Sequence, residues 1–405
     1  MKLLQINVTS NSGSTGRIAE DIGLLAVSHG WESYVAYGRT NNNSKNKAIR
    51  IGSGFDIKVH GLLTRVFDNH SFGFSSKKAT KQFIKEIDKI KPDIIHLHNI
   101  HGYYINSKVL FEYLLKLNIP IVWTFHDCWS FTGHCAYFDS VGCEKWKIGC
   151  YSCTLIKSYP ASFVFDRSKK NYIEKKELFN SIKNLTIVPV SNWLGDIIKE
   201  SFLSSHNIMI INNGIDINVF QPTSKNDETR NKFGIKGEFI ILGVASPWSE
   251  RKGLKDFIKL STLIDKNTKI VLVGLKQKQI DDLPNNIIGI KRTEKINQLA
   301  DLYSLADLFL NLTYEDNFPT TNLEALACGT PIVTYNTGGS VEAVSQETGF
   351  IVEKGDLHSV LNAIEIVKAN GKQYYSQKCR ERAVTKFNKK SQFQKYLDMY
   401  NKLLH

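Results

Sequence analysis

The sequence predicts an α/β protein of two Rossmann-like domains, and three features of its 405 residues favour this fold. Short apolar runs rich in β-branched residues alternate with amphipathic stretches, as is typical of βαβ units. The length suits two domains of about 200 residues better than one. A turn-rich segment at Asn212, Asn213 and Gly214 separates two sets of such runs. We therefore expect one parallel sheet in each half of the chain.

The expected strands and helices follow from these runs. In the first half, strands are expected at residues 2–8, 33–36, 94–98, 121–125 and 186–190. In the second half, they are expected at 239–244, 269–273, 287–290, 308–312, 331–334 and 349–352. Helices are expected between them, for example over 77–90, 254–265 and 357–369. We place the N-terminal domain at 1–205, the C-terminal domain at 206–385, and a last helix at 386–405 that can pack back on the N-terminal domain.

The chain is basic, with a formal net charge of +13, and lysines concentrate at residues 77–91 and 145–183. Solvated helix faces would explain this charge, as would phosphate-rich partners such as anionic lipid headgroups at the inner membrane surface or a lipid-linked diphosphate. Nucleic acid is not expected, because no helix-turn-helix, finger or RNP pattern accompanies the lysines. No signal peptide and no run of about 18 apolar residues is apparent, so we expect a cytoplasmic protein, peripheral to the membrane at most.

The segment 315–331, EDNFPTTNLEALACGTP, joins a predicted strand to a predicted helix. A helix that begins near Thr320 or Thr321 would point free backbone N–H groups and a positive dipole end at whatever lies before it, which suits a phosphate. Glu324, one turn later, is placed to bind ribose hydroxyls, and Asp316 would face the other end of the same ligand. Taken alone, the segment is also compatible with an ordinary strand-to-helix turn.

Two further loops have small residues after a predicted strand. The turn at Gly338 and Gly339 lets backbone amides approach a charged group, and the loop 10–17 contains Gly13 and Gly16. The second of these is weak as a motif by itself. Three such loops, spread over both halves, suggest a ligand held in a cleft between the domains.

In combination, four motifs resemble glycosyltransferase family 4, which comprises retaining sugar transferases with the GT-B fold. The motifs are Asp316-x7-Glu324 with the following ALACGTPIV, the GGSVE sequence at 338–342, NGID at 213–216 and RKGL at 251–254. The resemblance covers nearly the whole chain and implies two Rossmann-like domains facing each other across a cleft. Within the family, the chain is most similar to bacterial enzymes that build capsular, exopolysaccharide or O-antigen chains.

The resemblance implies roles for individual residues. Glu324 would hold the nucleotide ribose, and Asp316, where the family usually has Glu, would lie by the donor sugar and its phosphates. Lys252 would contact the donor diphosphate. The family's arginine five residues before this lysine is replaced here by Pro247, so we expect Arg251 to supply the positive charge.

The resemblance also implies a contribution from the first half. His126, after the strand 121–125, matches a histidine that hydrogen-bonds the donor sugar, and Gly13 to Gly16 with Arg17 match a loop near the donor phosphate and the acceptor. The expected catalytic residues are His126, Asp316, Lys252 and Arg251. The expected donor-binding residues are Gly13, Gly16, Phe318, Pro319, Thr320, Thr321, Glu324, Gly338, Gly339 and Glu342.

The implied reaction explains these residue types. Cleavage of a nucleotide sugar builds negative charge on the leaving phosphate, which fixed cations and amides stabilise. The chain has no D-x-D motif, so we expect no cofactor to be required for catalysis. The predicted function is a hexosyl- or N-acetylhexosaminyl-transfer from a nucleotide sugar, expected to be UDP-linked, to a growing glycan on a lipid diphosphate. A nucleotide-sugar 2-epimerase of the same architecture and a non-catalytic nucleotide- or carbohydrate-binding protein remain alternatives.

Five of the seven cysteines lie between residues 128 and 153. Cys150 and Cys153 form a CxxC pair, which Cys135 and Cys143 would complete as a thiolate set for a structural zinc ion. Unligated thiols and a disulfide are the alternatives, and a reducing cytoplasm disfavours the disulfide.

Three histidines, His96, His98 and His101, also lie close together in the sequence. His96 and His98 would point to the same face of a strand, but no neighbouring acid completes a ligand set. We expect these histidines to line the cleft or to pack in the core.

Overall fold

The structure is a computed structural model that describes residues 1–224 and 226–405. The chain divides into two compact units. The first unit comprises Met1–Asn212 with Phe393–His405, and the second comprises Asn213–Gln392. Each unit has its own parallel sheet, as predicted.

The described residues of the first unit form a sheet of seven parallel strands in the order β3-β2-β1-β4-β5-β6-β7. The strands are β1 (Lys2–Asn7), β2 (Glu32–Tyr37), β3 (Lys47–Arg50), β4 (Ile94–Leu97), β5 (Ile121–Phe125), β6 (Leu185–Pro189) and β7 (Asn207–Ile208). The helices are α1 (Gly13–Ser28), α2 (Gly54–Phe67), α3 (Lys77–Ile90), α4 (Ser107–Leu114), α5 (Ser168–Asn180) and α6 (Asn192–Glu200). Between β5 and α5, short 3₁₀ turns occupy Trp129–Phe131, Asp139–Val141 and Lys145–Lys147.

The sequence missed the two edge strands of this sheet. The central strands β4, β5 and β6 are buried along their whole length and appear in the sequence as continuous apolar runs, because helices cover both faces of a parallel sheet. By contrast, β3 is largely exposed and β7 has only two residues. Neither edge strand therefore has an apolar run by which it could be recognised.

The C-terminal helix, Lys389–Leu404, packs on the core of the first unit through an aromatic and aliphatic face. Its Tyr400 hydroxyl lies 2.6 Å from Nδ1 of His96, and its Tyr396 hydroxyl lies 3.1 Å from Oγ1 of Thr124. His96 Nε2 in turn lies 2.7 Å from the same threonine oxygen. These buried hydrogen bonds fix the helix on strands β4 and β5, and they show His96 to be a packing residue.

The described residues of the second unit form a six-stranded parallel sheet in the order β10-β9-β8-β11-β12-β13. The strands are β8 (Phe239–Val244), β9 (Thr268–Val273), β10 (Ile287–Ile290), β11 (Leu308–Asn311), β12 (Ile332–Tyr335) and β13 (Gly349–Val352). The helices are α7 (Asn226–Phe233), α8 (Leu254–Ser261), α9 (Gln277–Asp281), α10 (Ile296–Leu305), α11 (Thr320–Ala327), α12 (Leu357–Asn370) and α13 (Lys372–Lys386), and 3₁₀ turns occupy Glu250–Lys252 and Gly338–Ala343.

Both sheets reverse their strand order once. In the first unit the reversal lies between β1 and β4, and in the second between β8 and β11. Loops that leave the carboxyl ends of two such strands turn away to opposite faces and leave a crevice, where α/β proteins commonly bind ligands. The candidate loops predicted from the sequence follow these strands or their neighbours.

None of the helices formed by the described residues combines the length and hydropathy needed to cross a bilayer.

The bond between Tyr400 and His96 gives a test of how the C-terminal helix is held. We expect Tyr400→Phe to lower the free energy of unfolding by about 1–3 kcal/mol, because it leaves Nδ1 of the fully buried His96 without a partner. Urea unfolding followed by tryptophan fluorescence measures this loss. The control is Tyr374→Phe in the second unit, where the ring is 69% exposed and the change should stay within about 0.5 kcal/mol. Equal losses in the two variants would contradict the assignment.

Candidate functional site

In the second unit, the loops after β8 and β11 are hydrogen-bonded to each other. These are the two strands between which the strand order reverses. The backbone oxygen of Arg251 accepts hydrogen bonds from the backbone N–H of Tyr314, at 2.8 Å, and from Oγ1 of Thr313, at 3.2 Å. Gly253 makes this approach possible, because its φ is +74° and a Cβ there would lie 2.1 Å from the carbonyl oxygen of Leu312. The loops that follow β8 and β11 therefore form one rigid edge.

This edge brings Lys252 and Asp316 together. The lysine Nζ lies 2.5 Å from Oδ2 of the aspartate, and the side chains are 20% and 16% exposed. The Nη1 atom of Arg251 donates to the backbone oxygen of Glu315 at 2.6 Å. Arg251 thus anchors the loop that carries Asp316, a positioning contact that the sequence did not predict.

The start of α11 lies in the same loop system. Helix α11 begins at Thr320 after Pro319, and no side chain caps its first turn. The buried side chain of Asn322 donates to the backbone oxygen of Ser340 at 3.1 Å and accepts a bond from Asn311 at 2.8 Å. The first turn of α11 is therefore joined to the 3₁₀ turn Gly338–Ala343, which stands where the sequence predicted an open glycine turn.

The loop after β12 is joined to the loop after β11, since Oγ1 of Thr337 donates to the backbone oxygen of Tyr314 at 2.8 Å. Gly338 has a φ of +47° and is partly exposed, whereas Gly339 is buried. The backbone oxygen of Glu342 accepts a bond from Arg382 at 2.9 Å. The second unit thus brings most of the residues predicted for it into one hydrogen-bonded set of loops.

Glu324 lies one turn into α11, and Tyr303 fixes its carboxylate. The tyrosine hydroxyl donates to Oε2 of Glu324 at 2.8 Å. Burial and the adjacent carboxylate raise the pKa of Tyr303 well above its usual value, so the hydroxyl remains a donor at neutral pH. The predicted residues Phe318 and Pro319 are buried, and the Phe318 ring packs 5.8 Å from that of Phe387. Any ligand contact by Phe318 would therefore involve its backbone.

In the first unit, the predicted glycine loop 10–17 is shorter than expected, because α1 begins at Gly13. Gly13 has a φ of +67° and open space beside it. Gly16 is buried, and a Cβ there would lie 2.6 Å from Oγ1 of Thr9. Gly16 therefore allows α1 to pack on the end of β1, while the backbone at Gly13 is accessible.

His126 follows β5, is half-buried, and belongs to a series of hydrogen bonds with His98 and Gln5. Gln5 donates its Nε2 to the backbone oxygen of Ala19 at 2.7 Å, so its Oε1 must accept from Nε2 of His98, at 3.1 Å. Nδ1 of His98 is then an acceptor, and it lies 3.2 Å from Nε2 of His126. These hydrogen bonds place the proton of neutral His126 on Nε2, so its Nδ1 is a hydrogen-bond acceptor.

His98 and His126 are both neutral at physiological pH. Burial lowers the pKa of His126 to about 4 and holds that of His98 well below its usual value. His101, which the sequence left without an acid partner, places Nε2 2.8 Å from Oδ2 of Asp127. The sequence did not reveal Gln5 or Tyr303 as partners, because both are distant along the chain from the residues they orient.

Among the described residues, one set of three possible metal ligands has its donor atoms within 4.8 Å of one another, namely Asp68, His70 and His134. Trp129 Nε1 donates to Nδ1 of His70 at 3.0 Å, so the proton of this histidine lies on Nε2, which faces Asp68 at 2.5 Å. Burial lowers the pKa of His70 to about 3 and keeps it neutral. A protonated Nε2 cannot bind a metal, so hydrogen bonding explains this cluster.

The four cysteines predicted as zinc ligands lie in the first unit. Their side chains line a single small cavity, but no three of their sulphur atoms lie within 4.8 Å of one another in the described residues. All four are free thiols.

Comparison with known proteins gives two family matches along the chain. Residues 16–219 match the family model described as Glycosyltransferase Family 4, and residues 225–385 match the one described as Glycosyl transferases group 1. The putative colanic acid biosynthesis glycosyl transferase WcaC of Escherichia coli K12 is 24% identical over 383 residues, which cover 91% of this chain and 90% of that protein.

Two further proteins extend the comparison. An Escherichia coli UDP-Gal:alpha-D-GlcNAc-diphosphoundecaprenol alpha-1,3-galactosyltransferase is 25% identical over 259 residues, covering 59% of this chain and 66% of that protein. The solved structure of sucrose-phosphate synthase from Thermosynechococcus elongatus superposes with a TM-score of 0.75 at 17% identity, covering 99% of this chain and 98% of that one.

The family models together span most of the chain, and the structural likeness confirms the predicted fold. The chain belongs to glycosyltransferase family 4 and is a glycosyltransferase with the GT-B fold.

Proposed function

We propose that this glycosyltransferase takes a sugar from a UDP-linked donor, with retention of configuration, and adds it to a growing glycan on a lipid diphosphate. The arrangement of Lys252 and Asp316 beside the uncapped start of α11, with Glu324 one turn further on, supports this proposal most directly. The galactosyltransferase relative is named for a UDP-sugar donor and a diphosphoundecaprenol-linked acceptor.

Each part of the donor would meet a group suited to it. The ribose hydroxyls would donate to Glu324, whose carboxylate is oriented by Tyr303. The diphosphate would lie at the backbone N–H groups of Thr320 and Thr321, where the helix dipole favours negative charge. Lys252 would then share its ammonium between the diphosphate and Asp316.

The same groups would assist bond cleavage. As the bond between sugar and phosphate breaks, negative charge grows on the leaving diphosphate, which Lys252 and the α11 amides would stabilise. We propose no metal for this step, since the chain lacks a D-x-D motif and supplies its own cationic groups. Retention would follow if the acceptor hydroxyl attacks on the face that the diphosphate leaves, with a phosphate oxygen taking the hydroxyl proton.

His126 would bind the sugar as a hydrogen-bond acceptor. The chain through Gln5 and His98 leaves Nδ1 of His126 without a proton, and burial keeps the ring neutral. A neutral acceptor suits a sugar hydroxyl and would not act as a general acid at neutral pH. Gln5 and His98 would thus be positioning residues for His126.

A surface of the first unit fits a membrane that carries such an acceptor. Five exposed apolar side chains, which we call the apolar patch, are between 44% and 66% exposed: Phe67, Phe74, Phe163, Val164 and Phe165. Phe67 and Phe165 stack at 5.8 Å, and the backbone N–H groups of Phe163 and Phe165 bond to the end of α2.

Lysines adjoin this patch. Phe74 lies three residues before α3, where the exposed lysines are Lys77, Lys78, Lys81, Lys85 and Lys89. Apolar side chains beside lysines suit the interface of an anionic bilayer, since the rings enter the headgroup region and the ammonium groups meet lipid phosphates. We propose that the apolar patch and α3 hold the enzyme at the inner surface of the membrane.

Turnover with defined substrates tests the reaction. With a panel of nucleotide sugars, we expect a UDP-sugar to release UDP only when a lipid-diphosphate-linked glycan is present, because transfer requires that acceptor. Chromatography of nucleotides and lipid products measures both halves of the reaction. An epimerised donor without acceptor, or tight donor binding without any turnover, would contradict the proposal. Inversion of the anomeric configuration of the transferred sugar would contradict only the proposed retention and would leave the transfer reaction standing.

Vesicle binding tests the membrane surface separately. We expect the double variant Phe163→Ser and Val164→Ser to bind vesicles containing phosphatidylglycerol about tenfold more weakly, since it removes two side chains that are 65% and 63% exposed. Sedimentation with vesicles measures the bound fraction. The control Tyr374→Ser changes a similarly exposed ring in the second unit and should bind normally. Equal binding by both variants, or no preference for anionic over neutral vesicles, would disprove the membrane role of the patch.

A further inference from the structure

The segment between His126 and α5 encloses a small cavity lined by thiols. The cavity has a volume of about 20 Å³, and its lining includes the side chains of Cys135, Cys143, Cys150 and Cys153. Apart from short 3₁₀ turns, the segment 128–167 has no regular secondary structure in the described residues. The segment is therefore held by side-chain and loop contacts, including those to α2 and to Lys175, rather than by regular secondary structure.

Two buried donors in the cavity wall lack partners. Trp146 and Ser168 line the cavity and are 4% and 1% exposed, and the Nε1 of the first and the Oγ of the second make no hydrogen bond. Such groups cost free energy when they are buried without a partner. Thiolates accept hydrogen bonds from N–H and O–H groups, so a charged sulphur cluster would satisfy both.

A hydrogen bond to one of these sulphurs is present in the structure, where the backbone N–H of Gly133 donates to Sγ of the Cys150 thiol at 3.2 Å. The approach requires glycine, because a Cβ at this position would lie 2.2 Å from the backbone oxygen of Ser168 and 2.7 Å from Cβ of Cys150. The backbone of residue 133 is thus held against the cysteine sulphur. N–H groups directed at sulphur are the kind of support that outer-shell residues give to metal-bound ligands.

A buried lysine adjoins the thiols. Lys175 is fully buried, and its Nζ donates to the backbone oxygens of Trp129, at 2.6 Å, and Thr132, at 2.9 Å. Its Nζ also lies 3.6 Å from the centroid of the Trp129 ring. Burial lowers the pKa of Lys175 to about 7, and its electrostatic neighbours are Cys150, Cys135, Asp68 and Asp127. A buried ammonium group is favoured by nearby negative charge, which offsets its desolvation.

Lys175 would also contribute to the charge balance of a metal site. A zinc ion with four thiolates carries a net charge of −2, which would itself be unfavourable in a buried site. Lys175 would offset part of that charge, and Trp146, Ser168 and Gly133 would supply hydrogen bonds to the sulphurs. The separate features of the cavity wall thus point to one occupant.

We propose that Cys135, Cys143, Cys150 and Cys153 bind one structural zinc ion. The sulphur atoms would close in on the cavity when the four thiols lose their protons to bind the metal. The metal would fix the segment 128–167 directly after His126 and Asp127. This site is independent of the proposed donor and acceptor.

Elemental analysis of the full-length protein, purified under reducing conditions without chelator, tests the proposal. We expect about one zinc per chain in the wild type and a loss of most of it in Cys143→Ser, because a tetrahedral thiolate site loses one of its ligands. The control Cys379→Ser replaces a buried thiol of the second unit and should retain the metal. A wild type with far less than half a zinc per chain would overturn the proposal, as would unchanged zinc in Cys143→Ser.

A second measurement covers the case in which Cys143→Ser does not fold. Replacing the metal of the wild type by cobalt should give thiolate-to-cobalt charge-transfer absorption and the visible bands of a tetrahedral ion. Absence of these bands would overturn the site. Thiol titration of the unfolded, non-reduced protein should find seven free thiols once zinc is chelated, and a disulfide among the four cysteines would also overturn it.

Discussion

The candidate donor site depends on the hydrogen bonds that join the loops after β8 and β11. The backbone oxygen of Arg251 receives two of them, and Gly253 allows the approach that they require. Asp256 adds a buried anchor, since one of its carboxylate oxygens accepts from the hydroxyls of Tyr314, at 2.7 Å, and Tyr335, at 2.8 Å. Without the hydrogen bonds between these two loops, Lys252 would have no fixed position relative to Asp316 or to the start of α11.

Two residues of this region depart from the family pattern, namely Pro247, where the family has an arginine, and Asp316, where it usually has a glutamate. The guanidinium of Arg251 bonds to the backbone oxygen of Glu315. The side chain that pairs directly with Asp316 is Lys252. A donor diphosphate carries more negative charge than one carboxylate, so we propose that it competes for this ammonium and leaves Asp316 closer to the sugar.

Much of this organisation could be predicted from the sequence, because its signals are local. Apolar runs predicted the central strands, and the Pro319 to Thr321 turn predicted the start of α11. The residues that were missed act over long distances. Tyr303 precedes Glu324 by 21 positions, and Gln5 precedes His98 by 93, so no local pattern connects them. Edge strand β3 was missed for a different reason, since its largely exposed residues show no hydrophobic pattern.

The most direct test of the account is the effect of Lys252→Ala on transfer and on nucleotide binding. We expect kcat to fall by about 10²–10³ while the Kd for UDP changes far less, because the ammonium is proposed to stabilise mainly the charge that develops during cleavage. Lys255→Ala is the matched control, since that lysine is exposed, pairs with Glu250 at the surface and should leave both values nearly unchanged. A Lys252→Ala enzyme with normal kcat, or one that loses only UDP affinity, would contradict the central role of this residue.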